Sequence, residues 1–138
     1  MVTTAGSGPG RDDMLRDCRV LIAEDEALIG LDLATAVEAV NGEVAGPFAT
    51  VRDGLVYLAH NDVHAAILDV HLADRDVSPL AIALLDRGKA VVFHTASGVP
   101  AEVSQRYGDL PVCRKPMSPD RVILHLAGVI KGLPRQGK

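Results

Sequence analysis

The sequence predicts an α/β domain of the doubly wound kind, a five-stranded parallel sheet with helices on both faces. Short apolar runs alternate with segments of helical periodicity along the chain, which gives five βα units. The runs "AAILD" and "AVVFHT" are apolar almost throughout rather than at every second position, as strands buried on both faces are. Serine-proline and glycine punctuation falls where helices would start and stop. Right-handed crossovers between such units yield an open sheet, and the strand order 2-1-3-4-5 is taken by analogy with other doubly wound folds.

Taken in order, residues 1–16 hold Gly, Ser, Thr and Pro without apolar periodicity and read as a disordered tail. Residues 134–138 read the same way, leaving 17–133 as the domain. "RVLIA" (19–23) is the first strand. A helix from Ala27 to Val40 follows, with Leu28, Leu31 and Val37 beside Ile29, Leu33 and Val40, until Asn41-Gly42 stops it. "EVAGPFA" (43–49) is a weaker strand that Pro47 assigns to an edge. Val51 to His60 is the second helix and "AAILD" (65–69) the third strand. Ser78 as cap and Pro79 at the first helical position open the third helix, which Gly88 ends. "AVVFHT" (90–95), a short helix from Pro100 to Tyr107 and "PVCR" (111–114) come next. Ser118-Pro119-Asp120 repeats the cap-and-proline start for a final helix through Lys131. That helix is apolar nearly all round, with Val122, Leu126 and Val129 beside Ile123, Leu124 and Ile130. One spare apolar face is therefore expected to meet a partner or a second copy of the chain, as in a homodimer.

At 138 residues and 48% apolar content the chain fits one domain with one core. A net charge of −4 argues against nucleic acid or an anionic membrane as the main partner, since both need a basic face. No apolar stretch approaches the roughly 18 residues of a membrane span, and the N-terminus lacks signal-peptide character, so the chain is expected in the cytoplasm. Cys18 and Cys113 would sit three strand spacings apart, roughly 14 Å, too far for a disulfide. His60 and His64 are separated by the turn-like Asn61-Asp62 and do not share a helical face, so no metal pair is expected there.

In an open parallel sheet the site lies beyond the carboxyl ends of the strands, where the winding reverses, here between strands one and three. Strand one ends in Glu24, Asp25 and Glu26, strand three in Asp69, strand four in Thr95, and strand five in Lys115 followed by Pro116. An aspartate at the end of a buried strand needs a partner. Two like charges ~5 Å apart repel by about 3 kcal/mol at an effective dielectric of 20, so Glu24, Asp25 and Asp69 together call for a cation. An all-oxygen donor set suits Mg²⁺, or Mn²⁺ in its place, better than zinc. Lys115 adds a second positive charge and Thr95 a hydroxyl donor. These are the parts needed to stabilise a phosphoryl group arriving on Asp69 as nucleophile.

At these residues the chain resembles the receiver domain of response regulators in two-component signalling, a flavodoxin-like fold. The likeness runs over about Asp17 to Leu133. It rests on Glu24-Asp25, Asp69, Thr95 and Lys115-Pro116 occurring in order, each at a strand end. It implies that Asp69 accepts a phosphoryl group from a phosphohistidine on a histidine kinase or phosphotransfer protein, in a phosphorelay. It further implies that Asp25, Asp69 and the backbone carbonyl of His71 ligate Mg²⁺ with Glu24 acting through water, that Lys115-Pro116 is cis, and that the aspartyl phosphate is lost by self-catalysed hydrolysis. The protein would then be a phosphoacceptor rather than an enzyme acting on other substrates.

Two departures bear on output. The position three before Lys115, usually aromatic in the family, is Val112, so the usual threonine-to-aromatic switch cannot operate. "FHTASG" looks like the Phe-x-Thr element of a subgroup of stand-alone receivers. The expected output is contact with an unidentified downstream protein; relay or a phosphate sink would use the same residues. A receiver-like interaction module that is never phosphorylated is the alternative. A flavodoxin-type cofactor carrier would need a phosphate loop where Glu24-Asp25-Glu26 would repel one. A haloacid-dehalogenase-type phosphatase would need a second acid where His71 stands.

Overall fold

The structure is a computed structural model and describes residues 11–133. Five strands, β1 (Arg19–Ala23), β2 (Glu43–Phe48), β3 (Ala65–Leu68), β4 (Ala90–Thr95) and β5 (Val112–Arg114), alternate with five helices. The helices are α1 (Ala27–Ala39), α2 (Val51–His60), α3 (Ser78–Asp86), α4 (Ala101–Tyr107) and α5 (Pro119–Gly132). The strands form one parallel sheet in the order β2-β1-β3-β4-β5, the order the sequence reading adopted.

Alternation along the strands splits the core in two. Leu21, Ala66, Leu68, Val91 and Phe93 pack under α2, α3 and α4, against Leu58, Leu80, Leu84 and Val103. Val20, Ile22, Ile67 and Val92 point the other way, against Leu33 and Val37 of α1 and Val122, Ile123 and Leu126 of α5. Every residue of β3 and β4 is buried, as their apolar runs require of strands covered on both faces. β2 is the half-exposed edge that Pro47 foretold. There Gly46 takes φ +104°, where a Cβ would lie 2.7 Å from the Ile22 carbonyl oxygen, so only glycine fits.

Three expectations are corrected. Of the expected N-terminal tail, residues 1–10 lie outside the described residues, as does the expected tail at 134–138. Within residues 11–16, however, a 3-10 turn over Arg11–Asp13 leads into Leu15, which is buried and donates its N–H to the Val40 carbonyl at 3.0 Å. The Leu15 side chain, its bond to Val40 and the Asn41 amide, which donates to the Asp12 carbonyl at 2.7 Å and to Asp13 Oδ1 at 2.8 Å, fix that stretch to the end of α1. Ser78 does not cap α3: the Asp76 carboxylate takes the Ser78 N–H at 2.8 Å, and the Ser78 hydroxyl is buried without a partner among the described residues. Finally, α5 uses most of its surplus apolar surface. Val122, Ile123 and Leu126 are buried and Val129 and Ile130 half-buried, leaving Leu124 exposed.

Ser118 does cap α5, accepting the Arg121 N–H. Cys18 and Cys113 are both free. The ring of His64 accepts the Arg19 N–H at 2.8 Å, at the end of β1 remote from the carboxylates. Among the described residues no helix is long and apolar enough to cross a membrane.

Candidate functional site

The carboxyl ends of β1, β3, β4 and β5 converge on one open cleft of about 340 Å³, lined by Asp25, Glu26, Asp69, His71, Thr95, Ala96, Ser97 and Lys115. Parallel register does this: Ala23 pairs with Leu68, Leu68 with Phe93, and Thr95 with Arg114, so Glu24 and Asp69 leave the sheet level with His94, and Thr95 and Lys115 stand one and two residues further along β4 and β5. Backbone bonds continue past the strand ends, from Asp69 N–H to the Ala23 carbonyl at 2.9 Å and from Lys115 N–H to the Thr95 carbonyl at 3.0 Å. These bonds carry the two side chains beyond the sheet without letting them splay.

Carboxylate oxygens of Glu24, Asp25 and Asp69 all lie within 4.8 Å of one another. Glu24 and Asp69 are buried and Asp25 is exposed. The Lys115 ammonium stands between the two buried acids, 3.1 Å from Glu24 Oε1 and 3.4 Å from Asp69 Oδ2. The other oxygens are also engaged: Glu24 Oε2 accepts the Glu26 N–H at 3.1 Å, and Asp69 Oδ1 accepts the Val70 N–H at 2.7 Å.

Burial pushes Glu24 up to about 7, with the neighbouring Asp69 charge adding to it, against the opposing Glu26 N–H and Lys115 ammonium. Burial also works against the Lys115 charge, but Glu24 and Asp69 outweigh it and hold its pKa above the ordinary lysine value. One ammonium thus falls short of balancing the acids. An additional cation at this cluster of hard oxygen donors would relieve the excess, so the donor set fits Mg²⁺. The residues able to hold it are Glu24, Asp25 and Asp69.

The sequence reading named Glu24, Asp25, Asp69, Thr95 and Lys115, and the fold brings all five together. His71, named for its carbonyl, also lines the cleft with its side chain. Lys115-Pro116 is cis, as the resemblance implied. The reading missed Ser97. Its hydroxyl lies 3.1 Å from Thr95 Oγ1 and 3.3 Å from His71 Nε2, and its N–H donates to Thr95 Oγ1 at 3.1 Å. Nor did it find Arg114, whose guanidinium donates to the Ala96 and Ser97 carbonyls at 3.3 and 3.0 Å and so ties the loop after β4 to β5. Asp74 is a third omission. Its carboxylate accepts the Val51 and Arg52 N–H groups at 2.8 and 3.1 Å, anchoring the loop that carries His71 to the start of α2. Val112 is half-buried among the apolar residues on the α2–α3–α4 side.

No family model matches the chain, and no curated protein matches it. Among solved structures, SdrG from Sphingomonas melonis Fr1 is 32% identical over 85% of this chain and 98% of its own, with a TM-score of 0.68. The response regulatory domain of mrkE from Klebsiella pneumoniae is 28% identical over 82% of this chain and 95% of its own, with a TM-score of 0.69. The response regulator PhyR from Brucella abortus is 26% identical over 87% of this chain, which spans about half (51%) of PhyR, with a TM-score of 0.69. With the sheet order, the clustered acids and these likenesses agreeing, the chain belongs to the response-regulator receiver domains.

Proposed function

We propose that this chain accepts a phosphoryl group on Asp69 from a phosphohistidine of a histidine kinase or phosphotransfer protein, and passes the signal on by contact with another protein. The observation that carries this reading is the Lys115 ammonium bridging Glu24 and Asp69, beside the buried Thr95 hydroxyl at the neighbouring strand end. A carboxylate oxygen of Asp69 forms the new P–O bond while the P–N bond to the donor imidazole breaks, and the leaving imidazole keeps the electron pair. Lys115 is placed to neutralise one phosphoryl oxygen. Thr95 Oγ1 already accepts the Ser97 N–H, so its own proton is available to a second phosphoryl oxygen when Ser97 Oγ donates in turn. Mg²⁺ held by Asp25, Asp69 and the His71 carbonyl, with Glu24 through water, would supply the remaining charge neutralisation.

Catalysis in this reading acts on the protein's own carboxylate, for both arrival of the phosphoryl group and its later hydrolysis. Incubation with acetyl phosphate and Mg²⁺, followed by intact-mass analysis, tests it. The wild type is expected to gain one phosphoryl mass that EDTA or Asp69→Asn abolishes. An unmodified wild type, with the fold intact by circular dichroism, would instead favour a receiver-like interaction module that is not phosphorylated.

A further inference from the structure

Between α1 and α5, beside the N-terminal segment, lies a cleft of about 220 Å³ that shares no lining residue with the phosphoacceptor cleft. Ala36, Ala39, Ile123 and Met14 give it apolar walls, and Asp12 and Asp120 give it two carboxylates. Leu124 lines it as well and stays 47% exposed. A second hollow shares Leu124 but is otherwise lined by Arg121 and His125. At 3.6 residues per turn, Asp120 and Arg121 stand on opposite flanks of Leu124, about 40° to one side and about 60° to the other, and differ in height by only about 1.5 Å. Asp12, Asp120 and Arg121 are exposed, and among the described residues none of the three forms a salt bridge. The outer face of α5 is therefore hollow and acidic on one flank and basic on the other, with a leucine between. One turn further along the same stripe is Gly128, where an added Cβ would meet nothing within 4 Å. Glycine is a poor helix former, and nothing in the fold crowds this mid-helix position. A helix of another molecule lying against the stripe would account for it.

Such a face fits itself. A two-fold axis running along α5 over Leu124 sets two α5 helices parallel and brings each flank against the opposite flank of the other copy. Leu124 then meets Leu124 of the second copy. Arg121 of each copy lays its aliphatic stem along the other's cleft and turns its guanidinium to Asp120, at nearly the same height, and to Asp12. An antiparallel pair would set the acidic flank against itself, so charge selects the parallel arrangement. Packed helices cross at an angle, so the pair diverges beyond Gly128 and Lys131 does not meet its own copy.

We infer that the α1–α5 cleft and the basic flank of α5 together form a homodimer interface, occupied by a second, two-fold related copy of this chain. The inference does not depend on phosphorylation of Asp69, and its test involves neither phosphodonor nor Mg²⁺.

Sedimentation velocity of the full chain over a range of concentrations reads the dimer. The wild type is expected to dimerise reversibly, and Leu124→Asp, which places two like charges on the axis, to weaken the dimer by more than about tenfold. Arg121→Asp and Asp120→Arg each turn two attractions into two repulsions, and each should weaken it by about tenfold. Mixed in equal amounts, these two variants regain both attractions, so a heterodimer tighter than either homodimer should form. Gly128→Gln improves the helix yet should weaken the dimer, which separates lost association from lost folding; circular dichroism checks the fold of every variant. A chain monomeric at every concentration, a dimer indifferent to Leu124→Asp or Gly128→Gln, or a mixture that associates no better than its components would each overturn the inference.

Discussion

Replacing Lys115 by Met removes the ammonium that lies between two buried carboxylates, and the geometry sets how the protein must respond. The ammonium is 3.1 Å from Glu24 and 3.4 Å from Asp69, whose side chains are 1% and 9% exposed. At an effective dielectric of 20 each attraction is about 5 kcal/mol gross, while carboxylates 4.8 Å apart repel by roughly 3.5 kcal/mol on the same scale. Once the ammonium is gone, the least costly relief is a proton on Glu24. Burial already raises that group to about 7 with Lys115 in place, and losing the ammonium moves it higher. A carboxyl whose folded pKa exceeds its unfolded value holds a proton that the unfolded chain releases, so stability falls as pH rises between the two values. In the wild type that fall ends near pH 7; in the variant it continues. Urea unfolding of both proteins in EDTA at pH 6 and pH 8.5 reads the difference. The variant's deficit should grow by about 1.4 kcal/mol per pH unit above 7, or roughly 2 kcal/mol between the two conditions. A deficit equal at both pH values would refute the reasoning, because the acids would then not depend on Lys115 to remain charged.

Mg²⁺ at ten times its Kd should stabilise the wild type by about 1.4 kcal/mol, and Asp25→Asn, with one carboxylate fewer, should lose more than half of the accompanying rise in Tm. His71 and Ser97 crowd the mouth of the cleft over Thr95, so His71→Ala and Ser97→Ala should each shorten the aspartyl-phosphate lifetime severalfold, measured as loss of phosphoryl mass after the phosphodonor is removed. Lifetimes equal to wild type in both would remove these side chains from the chemistry. His94 has a lowered folded pKa, so below its ordinary value of 6.5 the unfolded chain takes up a proton that the folded one refuses, and stability falls with pH. Lys115, Asp69 and Asp32 surround it and titrate outside that window or remain in both proteins. His94→Phe should therefore lose less stability than wild type between pH 7 and pH 5.

The sheet was legible because its central strands are almost purely apolar and each ends in a charged or hydroxyl-bearing residue that such a strand cannot bury alone. Glu24, Asp25, Asp69, Thr95 and Lys115 announce themselves by breaking apolar runs. Ser97, Arg114 and Asp74 do not. Their roles come from loops folding back, Arg114 onto carbonyls 17 and 18 residues earlier and Asp74 onto N–H groups 22 and 23 residues earlier, and no local pattern encodes such returns. A short polar residue just past a strand-end threonine was the available sign for Ser97. Leu15 escaped because the adjacent pair Met14-Leu15, flanked by charged residues, has no period. Ser78 misled because a serine before a proline resembles a cap, whereas the helix already begins at Ser78 and the Asp76 carboxylate accepts the Ser78 N–H. The surplus apolar face of α5 was real in the sequence, but α1 and the sheet together take up more of it than a helix flanked on one side would need.

Val112 in place of the usual aromatic leaves the coupling of Thr95 to the surface to other contacts. The structure supplies a candidate chain of them, from Thr95 Oγ1 to Ser97 and from the Ser97 carbonyl to the Arg114 guanidinium on the exposed β5 edge.

The account rests on three acids, a hydroxyl and an ammonium acting as one phosphoryl-binding unit. Beryllofluoride, which occupies the place of an aspartyl-bound phosphoryl group, tests that directly in two-dimensional NMR spectra of the labelled chain. The account predicts Mg²⁺-dependent shifts at Asp69, Val70, Thr95, Ala96 and Lys115 that disappear in Asp69→Asn. Spectra unchanged by beryllofluoride, or changed equally without Mg²⁺ or in Asp69→Asn, would contradict it.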